Sequence, residues 1–442
     1  MVGITPACAA GDQRAPYAGV TMSTAVVAPV APPVTVRSVP IPDPGSLLGL
    51  LPAEGSLAWV RRGEGLVAWG EAARAEFSGP ERFSRAQRWW SAFVADAAVD
   101  DSVRLPGSGP VAFASFAFDS QPGRSVVVVP RVVVGMRDGR AFLTEISTGA
   151  EESVLALLPE PRNERSMPSV SGYSSGSRSV ESWQGVVSEA VARIAAGELD
   201  KVVLARDLNV TLERPIDAPR LLDRLAESFP ECWTFAVDGL VGATPELLVR
   251  RTGDLVVSRV LAGTIRRSDD SGKDERLAQI LMASDKDHEE HGYAVSSVAA
   301  ALAAHCTDLE VPKRPRLLRL ANVQHLATDV SGQLVDGAPA LALAASLHPT
   351  AAVCGTPTER AFGMIRELEG MDRGRYAGPV GWMDGRGDGE FGIALRCAQI
   401  DPDDGRKLRL FAGCGLVSGS TPESELAESE AKFDAMRGAL GG

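Results

Sequence analysis

Short apolar runs bounded by turn residues recur along most of this chain, and they come in neighbouring groups instead of alternating strictly with helices. Between Ser46 and Leu158 the runs LAWV, GLVAWG, VAFASFAF, SVVVVPRVVVGM and AFLTEI follow one another, interrupted by one helical segment, RFSRAQRWWSAFVADA. Later, WQGVVSEAVARIAAGEL reads as a helix leading into the strand KVVLARDLNVTL, and APRLLDRLAESF as a helix before CWTFAVDG, ELLVRR and DLVVSRVLAGTI. One long helix is expected from Asp274 to about His305, with Glu290 near its middle. RLLRLANVQHLATDVSGQL, two short helices, the hairpin YAGPVGWMD/EFGIALRCAQI and a terminal strand and helix complete the pattern. Strands grouped as hairpins and meanders, with helices gathered between them, predict an α+β fold with mostly antiparallel sheets.

Segment composition suggests how the chain is divided. Residues 1–45, rich in Ala, Val and Pro, read as a flexible tail, within which Met22 is an alternative start to Met1. Residues 46–158 form a front half, and the Pro/Ser/Gly-rich stretch 159–182 a linking loop. Residues 183–442 carry the recognisable chemistry, all within a single large domain. The formal net charge of −12, without a basic run, argues against a nucleic-acid partner. No apolar run is long enough to cross a bilayer and no signal-peptide pattern is present, so a cytoplasmic protein is expected. Cys8, Cys232, Cys306, Cys354, Cys397 and Cys414 are scattered, as expected of free, mostly buried thiols.

Chemistry concentrates at the end, in FAGCGLVSGSTPESELAESEAKF. A glycine-rich strand there runs into a helix that Ser418–Pro422 can cap. Glu425, Glu428 and Lys432 share one face of that helix. Two carboxylates beside a glycine-rich strand end suit a hard cation, although a solvated face with a Glu428–Lys432 pair reads equally from these residues alone. Gly387, Gly389 and Gly392 match the dinucleotide fingerprint in spacing, but they lead into a strand and not a helix. His288-Glu289-Glu290-His291 has the wrong spacing for a zinc helix.

Read together, ELDKVVLARDLNV, GATPELLVRR, RVLAGTIRR, SDKDHEEH and GCGLVSGSTPESELAESEAKF resemble the chorismate-utilising enzymes, a family of isochorismate, salicylate, anthranilate and aminodeoxychorismate synthases. LHPTAAVCGTPTERA and RYAGPVGWMDGRGDGEFGIALRCAQI add two more matches in the expected order. The resemblance is firm over residues 180–442. It implies two large, mostly antiparallel sheets packed as a sandwich with helices outside, and an active site in the crevice between them. It implies chorismate, a dicarboxylate, as substrate and Mg2+ as cofactor, ligated by Glu290 and Glu428 with Glu425 close by or acting through water. An oxygen-only ligand set is what Mg2+ prefers.

The same resemblance makes Lys201 the general base and Glu246 the general acid. The acid must stay protonated to serve the departing C4 oxygen, which calls for a raised pKa. Arg396, placed within the strand GIALRCA, and Tyr376 match positions that bind the enolpyruvyl carboxylate, for which a planar guanidinium is suited. Gly263, Thr264, His325, Ala352, Gly415 and Lys432 complete the implied substrate-binding set, with Lys432 equally readable as a structural partner of Glu428.

Two small residues separate the family members. Aminodeoxychorismate synthases typically carry a nucleophilic Lys where this chain has Ala262. Anthranilate-type enzymes commonly carry a hydroxyl where it has Ala352. Water is therefore the expected nucleophile and isochorismate synthase the expected activity, feeding menaquinone or siderophore synthesis. Salicylate synthase is the alternative, with an anthranilate synthase component or a non-catalytic chorismate-binding protein behind it. No glutaminase subunit is expected, and a monomer is.

Overall fold

Almost every residue of Leu57–Arg61 is buried, although its side chains point alternately to opposite sides of a sheet. Leu57 and Trp59 enter one apolar core, whereas Ala58 and Val60 enter a second. A strand covered on both faces loses its polar alternation. That is why this segment reads as an uninterrupted apolar run.

The computed structural model describes residues 34–121, 123–148 and 166–441. Among these residues, thirteen strands build one sheet and ten a second, with pairing almost wholly antiparallel. Parallel pairing occurs between Val34–Ile41 and Ala97–Asp101. Trp59 and Phe235 of the larger sheet and Phe113 and Phe391 of the smaller meet in the core between them. The outer face of the larger sheet packs on the helices Ala218–Ser228 and Pro422–Leu440 through Leu221, Leu225, Phe433 and Met436. The α+β sandwich is thus present.

Several boundaries differ from expectation. Residues 34–41, placed in the flexible tail, form a full strand between Arg140–Thr148 and Ala97–Asp101. Its alternating burial is weak, so prolines dominated the sequence signal. The rest of the tail, with Cys8, Met1 and Met22, lies outside the described residues. Within the expected loop 159–182, Val170–Ser175 is an edge strand on Lys201–Leu212, and a helix begins at Val180; residues 159–165 lie outside the described residues. The front and back halves share both sheets: Leu57–Arg61 pairs with Trp233–Val237, and Val111–Ser115 with Pro379–Asp384.

The long helix expected from Asp274 to His305 is two helices, Ser271–Ala283 and Asp285–Leu302. Ser284 ends the first and caps the second, its side chain accepting from the Asp287 N–H. A serine that can satisfy an orphan donor lets a new helix start in a changed direction. The run SVVVVPRVVVGM divides likewise: Ser125–Val129 joins the smaller sheet and Val132–Arg137 the larger. Pro130, with no N–H to donate, stands at the crossing.

Candidate active site

The strand Lys201–Leu212 lies against Lys407–Leu416, with Val203 opposite Gly415 and Ala205 opposite Gly413. This pairing brings the start of one strand beside the glycine-rich end of the other. A cleft of about 670 Å³, counting its open mouth, lies there between the two sheets. Glu246, Gly263, Thr264, Glu290, His325, Ala352, Tyr376, Arg396, Gly415, Glu428 and Lys432 all line it. Lys201 sits behind this wall. Glu425 stands beside Glu428, one helical turn away.

Lys201 is fully buried, and its Nζ lies 3.1 Å from Glu290 Oε1. The contact is poorly aligned for a hydrogen bond, and Nζ has no other partner. A Cβ on Gly415 would stand 2.1 Å from Glu290 Oε1 and 3.1 Å from Lys201 Cε. Glycine is needed there because the pair fills the space of a side chain. Glu290 Oε2 accepts from the Gly263 N–H at 3.2 Å. Gly263 has φ 76° and marks a register shift in the pairing of Leu255–Arg266 with Val323–Leu334. Such a bulge turns the amide out of the ladder and toward the carboxylate.

Glu246 follows the strand Leu240–Thr244 and is 4 % exposed. Burial pushes its carboxyl up to about 8, although the Leu261 backbone and the Lys201, Lys432 and Arg396 cations pull the other way. A protonated carboxylic acid at neutral pH follows. Tyr376 is buried and stacks on Phe411, ring centroids 5.0 Å apart.

Arg396 differs from expectation. It is not in a strand but between Gly389–Ile393 of the smaller sheet and Cys397–Ile400 of the larger, with φ 48°. Its neighbours are apolar because they cross the core. Its Nη2 lies 3.2 Å from His325 Nε2, and its buried Nη1 has no partner.

On the terminal helix, Thr421 and Ser424 form a capping box and Pro422 opens the first turn. Lys432 Nζ lies 2.6 Å from Glu428 Oε1 and donates to the Gly413 carbonyl at 2.6 Å. Burial opposes the charge on Lys432, but Glu428 and Cys414 together outweigh it and raise the ammonium above its ordinary value. Glu425 Oε1 accepts from Lys286 Nζ at 3.2 Å, while Oε2 is buried without a partner. Burial first, then the Glu428 charge, raises the Glu425 carboxyl.

Donor atoms of Cys414, Glu425 and Glu428 all lie within 4.8 Å of one another. The orphaned Glu425 oxygen and the two adjacent carboxylates fit a hard cation that takes oxygen ligands. The Cys414 thiol, raised well above its usual value by burial, is no competitor for it. Glu290, expected with Glu428 as a direct ligand, is turned toward Lys201.

Two features escaped the sequence reading. Lys286 precedes Glu290 by one turn and reaches across to Glu425. Arg373, at the cleft wall, is locked by Glu369 at 2.6 Å and by the Val203 and Val353 carbonyls. The spacing of Glu369 and Arg373 at i,i+4 was available as a signal, but helix-surface pairs share it.

Similarity to known proteins agrees with this geometry. A family model described as "Chorismate binding enzyme" matches residues 56–441. Isochorismate synthase DhbC of Bacillus subtilis strain 168 is 45 % identical over 273 residues, 59 % of this chain and 68 % of that protein. The salicylate biosynthesis isochorismate synthase of Pseudomonas aeruginosa is 35 % identical over 414 residues, 87 % of this chain and 84 % of that protein. The solved structure of MenF, the menaquinone-specific isochorismate synthase of Escherichia coli, superposes with TM-score 0.77 at 28 % identity, covering 93 % of this chain and 95 % of that one. With its sandwich, its inter-sheet cleft and a match from residue 56 to 441, the chain belongs to the chorismate-binding enzyme family.

Proposed function

We propose that this protein is an isochorismate synthase, converting chorismate to isochorismate. The observation that carries the reading is a buried amine and a buried, protonated acid, Lys201 and Glu246, at a cleft whose wall offers only a methyl group at Ala262. With no side chain there to attack the ring, water is the nucleophile. Relatives named as isochorismate synthases support the same choice.

In this mechanism Lys201 takes a proton from water as its oxygen bonds to C2. The ring double bonds shift, the C4–O bond breaks, and Glu246 gives its proton to the departing hydroxide. One water enters and one leaves, so the product is an isomer of the substrate. Arg396 Nη1 is the free donor for a substrate carboxylate. Tyr376, stacked and buried, borders the same part of the cleft. Glu290 and Glu428, with Glu425 close by, would hold Mg2+, which would supply a Lewis acid and a counter-charge for the ring carboxylate.

The enzyme is proposed to act without a glutaminase subunit, as a cytoplasmic monomer. No described helix is long and apolar enough to cross a membrane. The test is incubation with chorismate and Mg2+ without ammonia, followed by chromatography. Isochorismate as sole product supports the proposal. Salicylate with pyruvate assigns a further elimination step, and no conversion until ammonia is added overturns the choice of water.

A further inference from the structure

His325 lines the cleft from the strand Val323–Leu334, yet both of its ring nitrogens are already engaged by protein. Nε2 lies 3.2 Å from Arg396 Nη2. A guanidinium offers only hydrogens, so Nε2 accepts. Nδ1 lies 3.0 Å from Thr264 Oγ1, and the ring also interacts with the Gly263 backbone. With Nε2 an acceptor, the one proton of a neutral ring sits on Nδ1. Burial first, then Arg396 and Lys432, push this imidazole well below its usual value, and the ring holds a single proton.

The consequence reaches Thr264. Because Nδ1 keeps a hydrogen on it, the Thr264 oxygen faces that nitrogen as an acceptor, and its own hydroxyl hydrogen must point elsewhere. Thr264 is half-buried on the cleft wall. At the other end of the chain of contacts, Arg396 Nη1 is buried without a partner. The bulge at Gly263, with φ 76°, serves both sides: its N–H goes to Glu290 and its backbone also interacts with His325.

We propose that His325 is a positioning residue locked in the Nδ1–H tautomer, which binds no substrate atom itself and aims two donors into the cleft, the Thr264 hydroxyl and the free arm of Arg396. This revises the role that sequence resemblance gave His325. The partners of the two donors are acceptor oxygens of a dicarboxylate, a point that rests on the proposed isochorismate synthase activity. The tautomer itself does not depend on that activity.

Two measurements test the proposal separately. Nitrogen-15 NMR of histidine-labelled protein, assigned by loss of one of five histidine signals in His325→Gln, should show a protonated Nδ1 and a bare Nε2. An Nε2–H tautomer or an imidazolium overturns the proposal whatever the enzyme does. In kinetics, His325→Leu and Thr264→Val should each lower kcat about 100-fold, the usual cost of one lost transition-state donor. The double variant should be no worse than either alone by more than about threefold, because coupled residues do not add. His325→Gln, whose amide can accept from Arg396 and donate toward Thr264, should stay within about tenfold of the parent, and Thr264→Ser should keep most activity. Additive losses, or His325→Gln as inactive as His325→Leu, overturn the positioning role. Failure of the parent to convert chorismate, with the tautomer as expected, sinks the activity and leaves the relay standing.

Discussion

Glu390 and Glu425 are both nearly sealed from water, at 4 % and 1 % exposure, yet they are treated in opposite ways. Glu390 Oε2 accepts from Trp59 Nε1 at 2.9 Å and Trp233 Nε1 at 3.2 Å, and Oε1 from Arg137 at 2.9 Å. Burial works against its charge, but Arg137 and Trp59 outweigh burial and keep the carboxyl below its ordinary value. Glu425 has one oxygen on Lys286 and the other without a hydrogen-bond partner, the Ser420 side chain standing nearby, and its carboxyl is raised. A buried charge with both oxygens answered ties the fold together, here the smaller sheet to the larger. A buried charge left short leaves room for something that is not protein.

The strongest challenge to this contrast is at Lys201, whose buried Nζ has only a misaligned partner. Lys201→Ala should reduce chorismate turnover about 1,000-fold, within the range expected for a general base. A loss below about tenfold removes Lys201 from the proton path. Next is the saturated side. Glu390→Ala strands Arg137 and two indole N–H groups, and should cost about 3 kcal/mol in urea unfolding. If turnover collapses while stability holds, Glu390 belongs to the chemistry after all.

Glu246 gives a prediction in pH. Its folded value, about 8, lies above the ordinary glutamate value of 4.5, so the folded state binds more protons between those limits. Stability therefore falls as pH rises from about 4.5 through 8, and the full penalty is present above 8. Glu246→Gln removes this slope, so the melting temperatures of variant and parent should diverge in the variant's favour from pH 5 to pH 8. Parallel curves would mean the carboxyl is not protonated in the folded protein. The smallest effect is at Glu425→Gln. Without metal the loss of the Lys286 pair and the relief from Glu428 nearly cancel, leaving a change of about 1 kcal/mol or less. The rise in melting temperature on adding Mg2+ should largely disappear; an undiminished rise excludes Glu425 from the cation site.

The sequence was informative where one rule controlled the outcome. Capping at Thr421 and Pro422 and the α+β grouping both depend on local chemistry. It misled where a tertiary partner decided. The Val34–Ile41 strand exists because Arg140–Thr148 pairs with it, against its own Pro40. Ser284 could equally have sat inside one helix, and only the packing of Asp285–Leu302 on Leu255–Arg266 selects a new start. Site residues were legible as a set through resemblance, but their pairings were not. No spacing rule joins Lys286 to Glu425 or Arg396 to His325, because each pair bridges elements far apart in the chain.

Arg396 occupies the stitch where the chain leaves one sheet for the other, held at φ 48° with strands fixed on both sides. It therefore works as a gauge of the gap between the sheets, unable to follow one layer without the other. A Cβ at Gly242 would come within 2.7 Å of the Arg396 carbonyl oxygen, so even a methyl group there must shift the stitch. Tolerance to mutation should then be uneven: changes that spread the layers by a few tenths of an ångström misplace the guanidinium well before they unfold the protein.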